Sequence, residues 1–566
     1  MAGSVLSAIP AAKPHEPGCG VPVRKSRRSK RRALALILVH VLILVHIAQW
    51  KITGRTITPV EPSEAGETLE LGYVNAGFVM LAVLILATVV LGRFFCGWAC
   101  HVVAYQDLCA WLLKKIGLRP KPVRSRLLVF VPLFAALWMF VLPTVIRLWR
   151  GYDLPSPTLR MTTDSLWERF PGVTVTVLTL LVDGFLLVWL FGAKGFCTYG
   201  CPYGALFAVS DRFAKGRIRV TDACEGCGHC TATCTSNVKV HQEVALYKMV
   251  VDPGCMRCMD CISVCPKGAL YFGFGSLPGK ARKAAKAKPR RVYDFTWPEE
   301  LVMAAVFLAA FLTFNGLYET VPIMLALGLS VLASIAAIAA WRLISRPALT
   351  FQHLALKSSG KLTRVGFAAV AILPLWLVFT AQSGFVRYHH RSGEWWFHRV
   401  AEHPHPSDER TEATNKALAH LRTVDRWNLI ETPGLHNMLG QLLIESGDNA
   451  AAEVHLLEAI ELNDEIVTAR LRLAEVMIVG RRHDEALEVL RAVLELDPVN
   501  EIAGRRLGKI VFERPGLLGA RLLLVDLLIE RGNLDGAENG VRWILDSDAG
   551  HPGANERMDR IRSLRE

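Results

Sequence analysis

No G-x-G-x-x-G fingerprint follows a strand anywhere in the 566 residues, so the usual glycine-rich seat for a dinucleotide is absent. Charged residues are scarce, 20% against 52% apolar, and mean hydropathy is positive, which excludes a chain that is water-soluble throughout. The first apolar run follows a basic stretch, but no small-x-small site closes it and Trp50-Lys51 comes directly after. It reads as an uncleaved anchor, not a signal peptide. A net charge of +14 would suit nucleic acid, yet the excess sits mostly in short segments flanking apolar runs, where attraction to anionic lipid accounts for it. Membrane lipid is the expected partner and nucleic acid is not.

A bilayer crossing needs roughly 20 apolar residues. Seven stretches qualify, at about 33–50, 73–92, 127–146, 173–192, 299–318, 321–341 and 365–383, the fourth carrying Asp183 and the seventh Pro374. Short basic segments stay on the cytoplasmic side. Arg24 to Arg32 precede the first span, Lys114 to Arg126 follow the second, and Lys280 to Arg291 precede the fifth, whereas Glu61, Glu64, Glu67 and Glu70 mark an outside loop. The N-terminus is therefore expected in the cytoplasm, and everything after about residue 384 outside an inner-membrane, multi-pass protein.

Eight of the fourteen cysteines form two near-copies of C-x2-C-x2-C-x3-C: Cys224, Cys227, Cys230 and Cys234, then Cys255, Cys258, Cys261 and Cys265 with Pro266. This spacing wraps thiolates around a cubane iron-sulfur cluster, the fourth cysteine of each run reaching the other cluster. One 4Fe-4S cluster is assigned to Cys224, Cys227, Cys230 and Cys265, the other to Cys255, Cys258, Cys261 and Cys234. A double zinc site or a disulfide framework is the competing reading, but zinc sites usually pair C-x2-4-C with a distant second pair. Thr235 stands where the pattern usually has a proline.

Two further motifs follow spans two and four: Phe95-Cys96-Gly97-Trp98-Ala99-Cys100, and Phe196-Cys197-Thr198-Tyr199-Gly200-Cys201-Pro202. Each comes after a glycine and a basic residue, and the likeness points to an internal duplication. On a helix, cysteines four apart share one face about 5–6 Å apart, close enough for a disulfide or shared ligation. Cys96, Cys100, Cys197 and Cys201 are thus redox or ligand candidates: a metal site, a dithiol switch or the lining of another redox group. Cys19 and Cys109 have no partner in the pattern.

These motifs resemble the membrane-bound ferredoxin-type proteins of periplasmic nitrate and nitrous oxide respiration and the related copper reductase of cytochrome oxidase assembly, over about residues 33–272. The resemblance implies electron passage between quinol or cytoplasmic donors and periplasmic or metal acceptors. His101 stands where the resemblance expects a proline. His40 and His46 lie six apart in span one; this does not support haem, though an intramembrane histidine is a candidate quinone contact.

From about residue 433 the chain repeats with period 34: Leu439, Leu473 and Leu507; Gly440, Ala474 and Gly508; Ala452 and Ala486; Leu456 and Leu490. The period is that of the tetratricopeptide helix-turn-helix unit, whose stacked pairs dock protein partners. A further unit near Ala537 and Val541 is displaced by 17 residues, which predicts an additional helix before it. No nucleophile–base pair or metal cluster stands out here, and the histidines at 389–405 read as solvated beside interfacial Trp395 and Trp396.

The fold expected is mainly α: a polytopic helical membrane protein of about seven spans, an inserted two-cluster ferredoxin-like α+β module and a C-terminal TPR-like α-solenoid. The divisions are a basic tail (1–32), a four-span domain (33–213), the ferredoxin-like domain (214–275), a basic linker (276–298), three spans (299–384), a linker (385–432) and the repeats (433–566). Function is expected to be electron transfer with two 4Fe-4S clusters, a redox partner protein and quinone, as an oxidoreductase of the quinol dehydrogenase or metal reductase type. A metal-handling assembly factor and a redox sensor are the alternatives.

Overall fold

The computed structural model describes residues 23–118, 123–166, 172–285 and 293–566. Cys19 and the basic residues Arg119, Lys121, Lys286, Lys288, Arg290 and Arg291 lie outside them. The chain divides into two compact units, Met1–Gly316 with Thr320–Thr380, and Leu317–Glu319 with Ala381–Glu566.

Among the described residues, five helices are long and apolar enough to cross a membrane: Arg27–Thr53, Val173–Phe191, Trp297–Phe314 and Ile323–Ser345 in the first unit, and Arg364–Glu402, which begins in it. The expected third span is a pair, Leu128–Phe140 and Leu142–Trp149, bent by 42° and counting as a sixth if it is one span. Pro143 explains the break, since it offers no N–H and its ring clashes one turn back. The expected second span is a helix of 16 residues, Ala76–Leu91. At 1.5 Å per residue it reaches only about 24 Å, short of a hydrocarbon core of about 30 Å.

Apolar side chains of the first helix point away from the protein: Leu34, Ile37, Leu38 and Leu44 are exposed, and only Arg32 and Leu36 are buried. Arg32 is the basic residue that docks. It pairs with Asp107 (2.9 Å) and Asp260 (3.7 Å), tying the start of this helix to the segment that carries the second cysteine run. Helices Trp297–Phe314 and Ile323–Ser345 pack closely through small side chains, with Ser334 donating to the Met303 carbonyl. The Thr296–Glu299 capping box starts the former. Glu299 also takes a bidentate pair from buried Arg342, at 2.6 and 2.7 Å.

Between the apolar helices Val173–Phe191 and Trp297–Phe314, strand Arg217–Val220 pairs antiparallel with Leu270–Gly273, in the register Arg217↔Gly273 to Val220↔Leu270. Short helices His229–Ala232, Val240–Tyr247 and Asp260–Ser263 lie between these strands. The two strands therefore close a module around both cysteine runs, over a core of Ile218, Val238, Val240, Val244, Val250 and Leu270.

The second unit is helical. Residues 385–432, expected as a linker, are instead mostly helix: Arg364–Glu402 runs on through the histidine-rich stretch, and Asp408–Trp427 follows. Ala413, Ala417, Leu418 and Leu421 join the core of the repeats, so the segment belongs to the repeat unit. Helix pairs Pro433–Glu445 with Asn449–Leu462, Val467–Val479 with His483–Leu496, and Leu518–Glu530 with Leu534–Ser547 make the repeats. Small residues set their spacing: a Cβ at Gly440 would stand 2.6 Å from Leu456. The additional helix is Glu501–Glu513, which accounts for the 17-residue displacement.

Candidate functional site

The two cysteine runs fold alike. Gly226 and Gly228 have φ of +71° and +81°, and the matching positions of the second run, Arg257 and Met259, have +51° and +64°. The left-handed turns that let three cysteines face inward are thus made by glycine in one loop and imposed on side-chain-bearing residues in the other, where each costs of order 1–3 kcal/mol. Surrounding contacts hold the second loop in place. Trp98 Nε1 donates to the Arg257 carbonyl (3.0 Å), and the Arg257 guanidinium pairs with Asp211 at 2.8 Å. Asp211 also pairs with Arg217 (2.9 Å), and all three side chains are essentially without solvent exposure.

Cys224, Cys227, Cys230 and Cys265 line one small cavity together with His229, Val244 and Leu270. Cys234, Cys255, Cys258 and Cys261 are close enough to perturb one another electrostatically. The structure thus brings each expected set of four together, including the exchanged fourth cysteine. Burial, with the Asp260 carboxylate and then Cys255 adding, pushes Cys258 up to about 12, and burial pushes Cys230 up to about 11. Bare thiols at these depths stay protonated at neutral pH, whereas a thiolate is the ligand form. The positive charge of bound iron is what reverses that preference, so this donor set fits an iron-sulfur group.

The four remaining motif cysteines converge beside the second run. They are not four apart on one helix, as the spacing suggested. Cys96 and Cys197 lie in five-residue helices, Phe94–Trp98 and Gly195–Tyr199, and Cys100 and Cys201 are the N-cap residues of the helices that follow, His101–Lys115 and Pro202–Asp211. Each copy opens after a glycine with positive φ, Gly92 (+75°) and Gly192 (+94°). His101 begins its helix just as Pro202 does, so the missing proline leaves the cap geometry alike: φ/ψ of −81°/121° at Cys100 and −75°/113° at Cys201.

Burial, then the neighbouring Cys96 and Cys197, push Cys100 up to about 12; burial, with Cys197, Cys100 and Cys96 adding, raises Cys201. Cys197 reaches about 11, burial outweighing the opposing effect of Lys194 and Arg93. Those cations are the residues that sequence reasoning noted only as basic flanks. Arg93 lies 3.9 Å from the Cys96 sulfur and donates to the Pro253 carbonyl at 3.0 Å. Lys194 pairs with Asp107, and Gln106 Nε2 donates to the Cys197 sulfur at 3.0 Å. Contact with the cluster loop is direct: a Cβ at Gly97 would meet the Met256 carbonyl oxygen at 2.2 Å and the Cys258 nitrogen at 3.3 Å. Cys109 is buried among Leu113 and Val188, away from this group. His40 Nδ1 is satisfied by the Leu36 carbonyl (2.9 Å) and His46 Nε2 by the Ile57 carbonyl (3.2 Å), so the two do not share a site.

Residues 75–119 and 173–221 both match the 4Fe-4S binding domain family, and residues 437–501 match the tetratricopeptide repeat. The two segments of the first match carry Cys96 with Cys100 and Cys197 with Cys201, consistent with a duplication, and the second ends just before Cys224. The chain is 32% identical over 147 residues to the methylamine utilization ferredoxin-type protein MauN of Methylobacillus flagellatus, 25% of this chain and 48% of that one. It therefore spans about half the length of that relative. It is 28% identical over 236 residues to the ferredoxin-type protein NapH of Haemophilus influenzae, covering 38% of this chain and 76% of that one. The solved TPR protein YrrB aligns at 19% identity over 34% of this chain and 88% of its own, with a TM-score of 0.19. The chain joins a 4Fe-4S binding domain, similar to that of the ferredoxin-type proteins NapH and MauN, to a tetratricopeptide repeat domain.

Proposed function

We propose that the protein is an integral membrane electron carrier in which Cys224, Cys227, Cys230 and Cys265 hold one 4Fe-4S cluster, and Cys255, Cys258, Cys261 and Cys234 the other. When bound, such clusters supply reversible one-electron transfer. The observation that carries the reading is the seat of Gly97 and Trp98 on the Met256–Cys258 backbone, which puts the four-cysteine group against the second cluster loop. Arg257 and Asp211 hold that loop in its left-handed turns. Arg93 donates one hydrogen bond to the Pro253 carbonyl and is itself the cation beside Cys96, so it spans the two groups.

Cys96, Cys100, Cys197 and Cys201 then serve as the relay or acceptor site between the clusters and a quinone or an external acceptor. The basic segments keep the clusters on the cytoplasmic side by the positive-inside rule, and the repeats dock a partner protein on the other. The convergence of four buried sulfurs also favours a second reading, in which they bind or reduce a metal ion for an external enzyme.

Iron and sulfide analysis of the purified protein tests the first claim: about eight iron per chain follow from two cubanes. Near-zero iron with bound zinc refutes it. Replacing Cys96, Cys100, Cys197 and Cys201 by serine separates the two roles. Unchanged reduction of the clusters by a quinol analogue removes those sulfurs from electron transfer, and loss of copper binding in the same variant supports metal handling.

A further inference from the structure

One group of metal-ligating side chains lies apart from every cysteine. His436, on the helix Pro433–Glu445, meets His455 and Glu458, one turn apart on Asn449–Leu462, and Asp425 near the end of Asp408–Trp427. The two Nδ1 atoms are 3.0 Å apart, and Glu458 Oε2 is 3.0 Å from that of His436 and 3.2 Å from that of His455. Asp425 Oδ1 is 3.9 Å from His436 Nδ1, and the ligand atoms of Asp425, His436 and His455 lie within 4.8 Å of one another.

Protons alone do not satisfy this triangle. Each Nδ1 carries either one hydrogen or one lone pair in the ring plane, and the carboxylate oxygen carries no hydrogen. Three mutual contacts need three bridging hydrogens, and two nitrogens supply at most two. With both protonated, two N–H groups face each other at 3.0 Å; with one protonated, a lone pair faces a carboxylate. A single cation at the centre satisfies all three atoms at once. For His436, His455 and Glu458 the dimensions agree: bonds of about 2.0–2.1 Å to zinc give a tetrahedral edge of about 3.3 Å, against the observed 3.0 to 3.2 Å, and Asp425 stands farther out at 3.9 Å.

We propose that Asp425, His436, His455 and Glu458 form a site for a divalent first-row metal ion, occupied by zinc. Two imidazoles with carboxylates are donors that zinc accepts, and calcium or magnesium prefers oxygen alone. His436 is only 2% exposed, whereas the Asp425 and Glu458 side chains remain 35% and 44% exposed, so the site is anchored inside and open to solvent on its acidic side. Its ligands come from three successive helices. Metal binding therefore clamps the first helix pair of the repeats to the helix preceding it, and the stability of that end of the docking surface becomes metal-dependent.

The test uses the full-length, cluster-loaded protein in detergent, dialysed against buffered zinc, with zinc and iron counted per chain. Wild type holds one zinc more than either His455→Gln or Glu458→Gln, and His389→Gln, altering the separate His389–His420 pair, retains it. Iron is the same in all four, so failure of the cysteine assignments would register separately. Zinc also raises the temperature at which helical circular dichroism of the wild type is lost, and does not do so in the two site variants. Equal zinc in wild type and both site variants overturns the proposal. Glu458→Gln, at a partly exposed side chain, keeps the comparison decisive if His455→Gln does not fold.

Discussion

Replacing Asp211 by asparagine removes one charge at the point where the second cysteine loop is held. Its carboxylate lies between Arg217 and Arg257 at 2.9 and 2.8 Å, with no solvent reaching any of the three. Neither arginine can swing out: Arg217 Nη1 donates to the Val250 carbonyl (3.0 Å), and Arg257 Nη1 to the Cys255 carbonyl (2.8 Å). At an effective dielectric of about 20 and a charge separation of about 4 Å, each attraction is worth roughly 4 kcal/mol before desolvation is counted. Desolvation of the carboxylate offsets several of these, and breaking a buried pair with its partner left in place costs about 3–5 kcal/mol. Here two like charges are left facing each other; burial and Arg257 already hold Arg217 below its ordinary pKa. The loss falls on a loop that also bears the strain of Arg257 and Met259. Asp211→Asn should therefore release the second cluster, with iron falling from about eight toward about four per chain, and bleach the visible cluster absorbance at lower temperature. Full iron and an unchanged bleaching temperature would refute the reasoning.

Three further outcomes follow from local geometry. Burial, with Asp252 adding, pushes Glu243 up to about 7 from 4.5, against the backbone N–H donors of Val251 and Asp252. The folded state therefore binds more protons in that interval, stability falls by up to about 3 kcal/mol as pH rises from about 4.5 through about 7, and Glu243→Gln flattens the pH dependence of cluster-loss rates. Gly97→Ala drives a methyl into the Met256 carbonyl, so quinol-linked reduction of the clusters slows while the first cluster's resonance signal persists; wild-type rates would dissociate the two cysteine groups. Arg481 holds φ of +59° where the equivalent turns have Gly447 and Gly532, and Arg481→Gly should stabilise the repeat domain by about 0.5–1 kcal/mol in thermal melts.

Local spacing carried much of this molecule. The 34-residue recurrence of Leu439 and Leu473 is visible in sequence because each repeat buries the same face against its neighbour, and the displacement at Ala537 marks the extra helix Glu501–Glu513. The duplicated cysteine pairs were legible for the same reason: both follow an apolar run, a glycine and a cation. Their geometry was not, because a four-residue spacing suggests one helix face and gives no sign that the short helices end at Ala99 and Gly200, so that Cys100 and Cys201 cap new helices. Span length misled where apolar composition runs past the helix, as at 73–92, or where Pro143 divides one. Residues 385–432 read as a linker because their charges hide an amphipathic face, which the helix Asp408–Trp427 buries through Ala413, Ala417 and Leu421.

The sites that escaped the sequence have one property in common: their members come from elements far apart along the chain and matter only as sets. Asp211, Arg217 and Arg257 span 46 residues, and each alone is an ordinary charged residue. His436 and His455 are 19 apart, a spacing with no meaning on one helix that becomes 3.0 Å once two helices of a repeat pair antiparallel. Such sets are costly to bury unless every member is satisfied. For Asp211 the satisfaction is visible, two cations on one anion. For His436, His455 and Glu458 it is not visible in hydrogen bonds, since no assignment of protons serves all three contacts, and that arithmetic is what distinguishes a metal site from an ordinary buried histidine.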